Sequence, residues 1–249
     1  MRFEGKVAVI TGGGSGIGRA TCTAFAKEGA RIGILDVNPS NAEKVAKEVR
    51  DGGGAAVGVQ TDVARYEEVT SAIGQVENIL GQIDILVNAA GYGHYVVLAE
   101  MSEEAWDRSI AVNLKGTFNC TRAVINTMIS RRQGKIVNVS SVAGIVGAAR
   151  HTQYSAAKAG VIGMSKGLAK EVAALGINVN VLAPALIDTD FYEPMKRQAP
   201  GFYEQLQKSI PMGRMGTAEE MAQVILFLCS ESAAFITGQV ISPNGGFMI

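Results

Sequence analysis

The sequence predicts an α/β fold in which helices cover both faces of a parallel sheet. Short apolar runs rich in β-branched residues alternate along the chain with longer segments of helical periodicity, and strands separated by helices pair in parallel. No linker, charge run or internal repeat interrupts this alternation. We therefore expect a single domain over residues 1–249, built on one doubly wound sheet.

Composition limits the class of protein. Hydrophobic residues make up 47% of the chain and charged residues 18%, which indicates a large buried core. Lys+Arg and Asp+Glu number 23 each, so bulk charge gives no reason to expect a nucleic acid or an anionic membrane as a partner. The 3 cysteines are far apart, and no signal peptide or membrane-spanning run is recognised, so we expect a reduced, cytoplasmic protein.

The first half of the chain contains four predicted strands, each short and apolar, as is typical of strands buried on both faces. They are Lys6–Ile10, Arg31–Leu35, Ala55–Gln60 and Ile83–Val87. A helix follows each strand; the first ends at Glu28 and the others cover Asn41–Asp51, Tyr66–Leu80 and Ser102–Arg132. We expect the longest of these helices to bend near Asn113.

The second half continues the alternation with strands at Lys135–Val139, Asn178–Leu182 and Gln239–Ser242. One helix carries Tyr154, and another runs from an N-cap at Thr217 to Cys229. The segment 183–214 holds most of the 6 prolines and is predicted to be irregular. Loops of this length inside a compact domain are usually functional, so we predict a substrate lid at about 188–213, with a contact between subunits as the alternative.

A tyrosine, a lysine and a serine form the clearest catalytic pattern. Residues four apart on a helix lie on the same face, which places Tyr154 beside Lys158. Ser141 follows the strand Lys135–Val139 and is near enough in sequence for the loop to bring it back to the tyrosine. A hydroxyl, a phenol and an ammonium group at one strand end are suited to moving a proton to or from an alcohol oxygen. An isolated Tyr-x-x-x-Lys is more often a solvated helix face, but the preceding strand and serine favour the catalytic interpretation.

A glycine-rich turn at residues 12–18 joins the first strand to its helix and predicts a dinucleotide site. Backbone N–H groups of such a turn can approach a pyrophosphate, assisted by the helix dipole. Asp36 closes the second strand, where a carboxylate accepts hydrogen bonds from the adenosine ribose and repels a 2′-phosphate. Val37 and Asn38 offer no cation for that phosphate, so NAD is predicted in preference to NADP.

Together these motifs resemble the short-chain dehydrogenase/reductase family. The matching features are the TGGGSGIG turn at 11–18, the NAAG sequence at 88–91, Asn113, Ser141, Tyr154 and Lys158. The resemblance covers essentially the whole chain, from Lys6 to Gly246. It implies a Rossmann-type domain whose seven-stranded parallel sheet has the order 3-2-1-4-5-6-7, and a homotetramer.

The resemblance also implies a role for each matching residue. Tyr154 is the general acid/base, and Ser141 orients the substrate oxygen. Lys158 binds the nicotinamide ribose and lowers the pKa of the tyrosine, while Asn113 holds a water that links Lys158 to solvent. The residues implied to bind the cofactor are Gly12, Ser15, Gly16, Ile17, Gly18, Asp36, Val37, Asp62, Val63, Asn88, Ala89, Gly91, Tyr154, Lys158, Pro184, Ile187 and Thr189.

Two positions depart from the family pattern. The second asparagine of the common NNAG motif is Ala89 here, which removes one side-chain hydrogen bond and leaves the turn. The usual glycine after Pro184 is Ala185, whose methyl group adds bulk beside the nicotinamide. Neither position belongs to the Asn-Ser-Tyr-Lys tetrad, so the activity and the cofactor are still expected.

The substrate site is predicted from the loops at the carboxyl ends of the strands. Besides Ser141 and Tyr154, its residues are His94, Tyr95, Ala143, His151, Ala185, Phe191 and Tyr192. Met195 and Phe202 complete the apolar lining predicted for the lid. The two histidines are interpreted as polar wall residues rather than proton carriers. No cluster of Cys, His and carboxylate residues has metal-ligand spacing, so no metal is expected.

The sequence therefore predicts an oxidoreductase that moves hydride between NAD(H) and a small secondary alcohol or its ketone, including a 3-hydroxyacyl or 3-oxoacyl thioester. One alternative is a 3-oxoacyl-[acyl-carrier-protein] reductase; such enzymes usually prefer NADPH, so Asp36 argues against it. The other is a non-catalytic dinucleotide sensor of the same fold, which an intact tetrad disfavours.

Overall fold

The computed structural model describes residues 1–198 and 200–248, with every side chain among them except those of Pro194 and Phe202. Within these residues, seven strands form one sheet in the order β3-β2-β1-β4-β5-β6-β7, and all neighbouring pairs are parallel. Their bounds are β1 Val7–Thr11, β2 Arg31–Asp36, β3 Ala56–Gln60, β4 Ile85–Asn88, β5 Gly134–Val139, β6 Ile177–Leu182 and β7 Val240–Ile241. The predicted Rossmann-like topology is confirmed.

The helices alternate with these strands and cover the sheet on both faces. Their bounds are α1 Gly16–Lys27, α2 Pro39–Asp51, α3 Tyr66–Leu80, α4 Glu103–Ile110, α5 Gly116–Arg131, α6 Ala143–Val146, α7 Thr152–Val172, α8 Glu193–Gln198, α9 Pro200–Lys208 and α10 Ala218–Cys229. The core clusters place α1, α2 and α10 on one face and α3, α5 and α7 on the other.

Successive β1 side chains serve the two faces in turn, as the pleat of a strand requires. Ala8 and Ile10 pack into the cluster beneath α1, α2 and α10, whereas Val7 and Val9 pack into the cluster beneath α3, α5 and α7. This double burial explains why the strands appear in the sequence as continuous apolar runs.

The long helical region departs from regular α-helix where the sequence predicts a bend. Between α4 and α5 the backbone takes a π-helical turn over Ala111–Lys115, which includes Asn113. Such turns widen a helix locally and are frequent at functional sites.

The N-cap predicted at Thr217 is confirmed, because Thr217 and Glu220 form a reciprocal capping box at the start of α10.

The segment 183–214 is more ordered than predicted. It contains a 3-10 turn at Asp190–Tyr192 followed by α8 and α9. The prediction of an irregular segment was wrong because Pro194 and Pro200 lie in the first turns of these helices, where a missing N–H breaks no hydrogen bond.

The start of α2 also differs from the prediction. This helix begins two residues earlier, because the Asn38 side chain caps the N–H groups of Ser40 and Asn41.

Candidate active site

A cavity of about 460 Å³ opens at the carboxyl edge of the sheet. This edge is where ligands bind in open parallel sheets, close to the point between β1 and β4 at which the strand order reverses. The residues predicted from the sequence that line it are Gly12, Ser15, Gly16, Ile17, Gly18, Asp36, Val37, Asp62, Val63, Ala89, Gly91, Ser141, Tyr154, Lys158, Pro184, Ala185, Ile187, Thr189, Phe191 and Tyr192. The structure thus brings most of the predicted cofactor and substrate residues to one cavity.

The glycine turn packs too tightly for side chains. A Cβ on Gly18 would lie 2.1 Å from the Gly12 carbonyl oxygen, and one on Gly12 would lie 2.8 Å from Cα of Ala90. Gly12 also has a positive φ of 62°, which favours glycine. The turn therefore brings backbone and the first residues of α1 directly to the cavity wall, and this cradle fits the pyrophosphate of a dinucleotide.

Asp36 is buried at the end of β2 and holds the turn in place. One carboxylate oxygen accepts a hydrogen bond from the Gly14 N–H at 3.0 Å, and the other accepts one from the Asn38 N–H at 2.9 Å. Each oxygen has a second lone pair, and the residue still lines the cavity. The carboxylate can therefore support the glycine turn and also receive ribose hydroxyls.

The loop after β3 is fixed to α5. Asn119 donates a hydrogen bond to the Val63 carbonyl at 2.8 Å, and a Cβ on Gly116 would lie 2.6 Å from the Val63 side chain. Asp62 forms an ion pair with Arg108 of α4 at 3.4 Å. Arg108 and Lys158 are the two positively charged side chains among the described residues that line the cavity, and neither is adjacent in sequence to Asp36.

Tyr154 and Lys158 lie on one face of α7, both buried. The Lys158 Nζ donates a hydrogen bond to the Val139 carbonyl at 2.8 Å and lies 5.5 Å from the centroid of the tyrosine ring. Ser140 donates a hydrogen bond to the Lys158 carbonyl at 2.8 Å, which joins the end of β5 to the helix. The Ser141 hydroxyl accepts the Ala143 N–H at 3.1 Å, and it also acts to lower the pKa of the Tyr154 phenol. Hydroxyl, phenol and ammonium therefore meet at the end of β5.

Burial governs the pKa values of Tyr154 and Lys158. It raises the pKa of the Tyr154 phenol well above its ordinary value, and hydrogen bonding to Ser141 opposes the change. It lowers the pKa of Lys158 to about 8. In both residues burial disfavours the charged form.

Asn113 holds a loop rather than lining the cavity. Its Oδ1 accepts the Tyr92 N–H at 3.1 Å, and its Nδ2 donates to the Tyr92 carbonyl at 2.9 Å and to the Ser109 carbonyl at 3.0 Å. A Cβ on Gly91 would lie 3.4 Å from this Oδ1 and 3.9 Å from the Lys158 Nζ. Asn113 and Lys158 thus adjoin the same glycine, and the water relay between lysine and solvent stays a prediction.

The Asn88 side chain also makes structural hydrogen bonds rather than lining the cavity. Its Nδ2 donates to Asn138 at 2.8 Å on the paired strand β5 and to Thr121 at 3.1 Å on α5. It is absent from the described cavity lining, which Ala89, Ala90 and Gly91 form in its place. The direction of an asparagine at a strand end depends on its pairing partner across the sheet, which the sequence did not reveal.

The predicted substrate residues separate into two groups. Phe191, Tyr192 and Ala185 line the cavity, whereas His94, Tyr95, Ala143 and His151 are outside its described lining. The His151 ring lies 5.4 Å from the Tyr154 ring, and the Tyr95 ring lies 4.9 Å from His151. Burial and the neighbouring His94 lower the pKa of His151 to about 4, so it is neutral near pH 7.

Met195 belongs to the interior of the lid and not to the cavity wall. It is buried in a group of residues that we name the lid cluster, which consists of Tyr95, Leu186, Met195, Tyr203, Ile210 and Met215. The Phe202 side chain lies outside the described residues, so its predicted place in the lining is untested.

The sequence did not identify several further residues that line the cavity. These are Thr61, Ala90, Tyr92, Arg108, Val112, Val139, Ser140 and Asp190. The TGGGSGIG and NAAG motifs border on some of them. Arg108, however, reaches the site from α4 and pairs with Asp62, which lies 46 residues earlier in the sequence. No local pattern signals such an approach.

The described residues offer neither a metal cluster nor a membrane-spanning helix. They contain no cluster of three or more His, Cys, Asp or Glu side chains that could hold a metal ion. None of their helices has both the length and the apolar character needed to cross a bilayer.

Comparison with known proteins places these observations in a family. The family described as "Enoyl-(Acyl carrier protein) reductase" matches residues 12–248. The chain is 45% identical to 3-oxoacyl-[acyl-carrier-protein] reductase FabG of Thermotoga maritima over 249 residues, which cover 100% of both chains. It is 39% identical to the protein of the same name from Escherichia coli K12 over 248 residues, 99% of this chain and 98% of the other.

A third relative carries a different name. The (2S)-[(R)-hydroxy(phenyl)methyl]succinyl-CoA dehydrogenase subunit BbsD of Thauera aromatica is 39% identical over 246 residues, 99% of this chain and 98% of the other. Relatives of both names match over almost their full length, and the structure has a Rossmann-like sheet in the order 3-2-1-4-5-6-7. This chain therefore belongs to the short-chain dehydrogenase/reductase family, whose members are oxidoreductases that act on CH–OH groups with a nicotinamide dinucleotide.

Proposed function

We propose that this protein is an NAD(H)-dependent oxidoreductase that interconverts 3-oxoacyl and 3-hydroxyacyl thioesters. The observation that carries the proposal is the meeting of Ser141, Tyr154 and Lys158 at the end of β5, in the same cavity that Asp36 lines at its other end. The names of the relatives support a thioester substrate, carried on an acyl carrier protein or on coenzyme A. The thioester is thus preferred to the free alcohol or ketone that the sequence equally allowed.

Each residue at the site has a proposed role. The bound nicotinamide supplies or accepts the hydride. Ser141 donates a hydrogen bond to the substrate carbonyl oxygen, and Tyr154 transfers the proton to or from that oxygen. Lys158 binds the nicotinamide ribose, and its positive charge favours the phenolate that proton transfer leaves. Asn113 acts through the Tyr92 loop, which it fixes beside Lys158.

The protonation state of Tyr154 suits its proposed role in carbonyl reduction near neutral pH. Burial raises its pKa, so the phenol keeps its proton and is ready to donate it to a carbonyl oxygen. Oxidation of the alcohol requires the phenolate, which costs about 1.4 kcal/mol for each unit that separates the pKa from the pH.

Asp36 supports NAD(H) in preference to NADP(H). Two like charges about 4 Å apart repel by roughly 4 kcal/mol at the effective dielectric constant near a protein surface. Neither cation of the described cavity lining lies next to Asp36 in sequence, and Arg108 is paired with Asp62. This preference separates the proposal from the NADPH-dependent reductase that the sequence left as an alternative.

We also propose that the chain forms one domain with a lid at about 188–213, and that it assembles as a homotetramer. Exposed apolar and small side chains on two helices support the assembly: Phe118 of α5, and Ala156 and Ala159 of α7. Val161 of the same helix is fully buried in the subunit and cannot take part in such a contact. Light scattering coupled to size exclusion tests the assembly, and a monomer at micromolar concentration would contradict it.

Turnover of thioesters tests the proposed function. The purified protein is assayed with 3-oxobutanoyl groups on coenzyme A and on acyl carrier protein, with free ketones in parallel, by loss of NADH absorbance. We expect faster turnover of the thioesters than of the ketones. Tight NADH binding with no turnover of any carbonyl compound would instead support the dinucleotide sensor.

A further inference from the structure

The lid places an aromatic ring directly beside the proposed proton donor. Phe191 lines the cavity, and its ring centroid lies 5.6 Å from that of Tyr154. The edge of the same ring rests on Gly93, where a Cβ would lie 2.8 Å from the Phe191 Cζ. The absence of a side chain at Gly93 therefore allows the ring to occupy this position.

The Gly93 side of this contact is firmly held. Gln153 of α7 donates a hydrogen bond to the His94 carbonyl at 2.5 Å, and the Val96 N–H donates to the Arg150 carbonyl at 2.9 Å. Asn113 holds Tyr92 on the other side. The wall under the ring is thus tied to α7 and to the π-helical turn.

The Phe191 side is held by packing within the lid. The next residue, Tyr192, packs against the lid cluster, and its hydroxyl donates to the Ala185 carbonyl at 3.4 Å. The base of the lid is joined to the chain before α10 through the hydrogen bond from the Asp188 N–H to the Gly216 carbonyl at 2.9 Å. The ring therefore projects from an anchored segment into the space above Tyr154.

We propose that Phe191, seated on Gly93, limits the size of the substituent on the reacting carbonyl, so that the enzyme prefers 3-oxoacyl thioesters with short chains. This inference rests on the proposed function and adds its specificity. The inference requires that, when the ketone oxygen reaches Ser141 and Tyr154, the alkyl substituent lies next to this ring and the thioester arm leads away from it. A long chain has to displace the ring, whereas a methyl group does not.

Chain-length profiles of single variants test the inference. The ratio of kcat/KM for 3-oxodecanoyl-CoA to that for 3-oxobutanoyl-CoA is measured with NADH. We expect Phe191→Ala to raise this ratio about tenfold or more, since differences of a few methylenes in an apolar pocket discriminate on that scale. Phe191→Leu, which keeps part of the bulk, should give an intermediate ratio. Ile79→Ala on the exposed face of α3 is the control, because this residue lies outside both the lid cluster and the cavity lining, and it should leave the ratio unchanged.

A double-mutant cycle tests the contact with Gly93. Gly93→Ala alone should lower kcat/KM for the short substrate about tenfold, because its methyl group displaces the ring. In the Phe191→Ala background the same substitution should change it by less than about twofold. Thioester turnover with an unchanged ratio in Phe191→Ala, or an equal shift in Ile79→Ala, would overturn the inference alone. Absence of turnover with every thioester would overturn the proposed function as well.

Discussion

The Lys158 ammonium donates a hydrogen bond to the Val139 carbonyl at 2.8 Å, and this bond ties the face of α7 that carries Tyr154 to the end of β5. The lysine is buried while its Nζ lies 5.5 Å from the Tyr154 ring centroid. The end of β5, this face of α7 and the proposed proton donor Tyr154 are thus joined through Lys158. The position of Tyr154 is set by the sheet rather than by a flexible loop, which is what precise proton transfer requires.

Tyr154→Phe removes the proton donor and leaves the ring. We expect kcat/KM for 3-oxoacyl thioester reduction to fall by about 10²–10⁴-fold, the usual contribution of a positioned acid. NADH affinity should stay within about twofold of the wild type, because the ring still packs in the same place. Tyr66→Phe at the exposed start of α3 is the matched control. Activity retained in Tyr154→Phe would show that another group carries the proton.

The pH dependence of reduction should report Lys158. Burial lowers its pKa from 10.5 to about 8, so the ammonium is present below pH 8 and is lost above it. We therefore expect kcat/KM for NADH to fall on the alkaline side near pH 8, since this parameter reports ionisations of the free enzyme. A profile that stays flat up to the ordinary lysine range near 10.5 would contradict this role.

Cofactor preference should follow the charge at the end of β2. The double substitution Asp36→Ala, Val37→Arg removes the carboxylate and supplies a cation for a 2′-phosphate. We expect the ratio of kcat/KM for NADPH to that for NADH to rise about 100-fold, which corresponds to roughly 2.7 kcal/mol.

Asp36→Asn separates charge from support of the glycine turn, because it keeps one acceptor for the N–H groups of Gly14 and Asn38. It should move the ratio in the same direction, by less. Asp51→Asn at the exposed end of α2 controls for a general loss of charge. If the ratio did not change in the double variant, Asp36 would have no part in rejecting the phosphate.

The tight packing of the glycine turn gives a stability prediction. In Gly18→Ala the new Cβ would lie 2.1 Å from the Gly12 carbonyl oxygen, so the turn has to shift. We expect a lower Tm and at least tenfold weaker NADH binding, since a misplaced donor in this site loses on the order of 1.4 kcal/mol. Gly74→Ala in α3 is the control, because no atom lies within 4 Å of its Cβ position. Exchange of glycine for alanine there should raise stability by about 0.5–1 kcal/mol. Equal behaviour of the two variants would contradict the steric argument.

Local spacing was enough to predict which polar side chains the fold brings together, but not the cavity walls around them. Tyr154 and Lys158 share a helical face by their four-residue separation, and Asp36 ends a strand that the sequence delimits well. Arg108 and the contact of Phe191 with Gly93 depend on packing between distant segments, for which the sequence has no short-range signal. For the same reason, the sequence could not show that His151 lies beside Tyr154 and Tyr95 beside His151, both outside the cavity lining.

The most direct test of the central claim compares the two nicotinamide cofactors with one thioester. Wild-type kcat/KM is measured for NADH and for NADPH at saturating 3-oxobutanoyl-CoA. An NAD(H)-dependent 3-oxoacyl reductase should give a value for NADH at least tenfold above that for NADPH, a difference of about 1.4 kcal/mol at the ribose site. An equal or higher value for NADPH would contradict the proposal that Asp36 rejects the 2′-phosphate. It would favour the alternative of an NADPH-dependent 3-oxoacyl reductase.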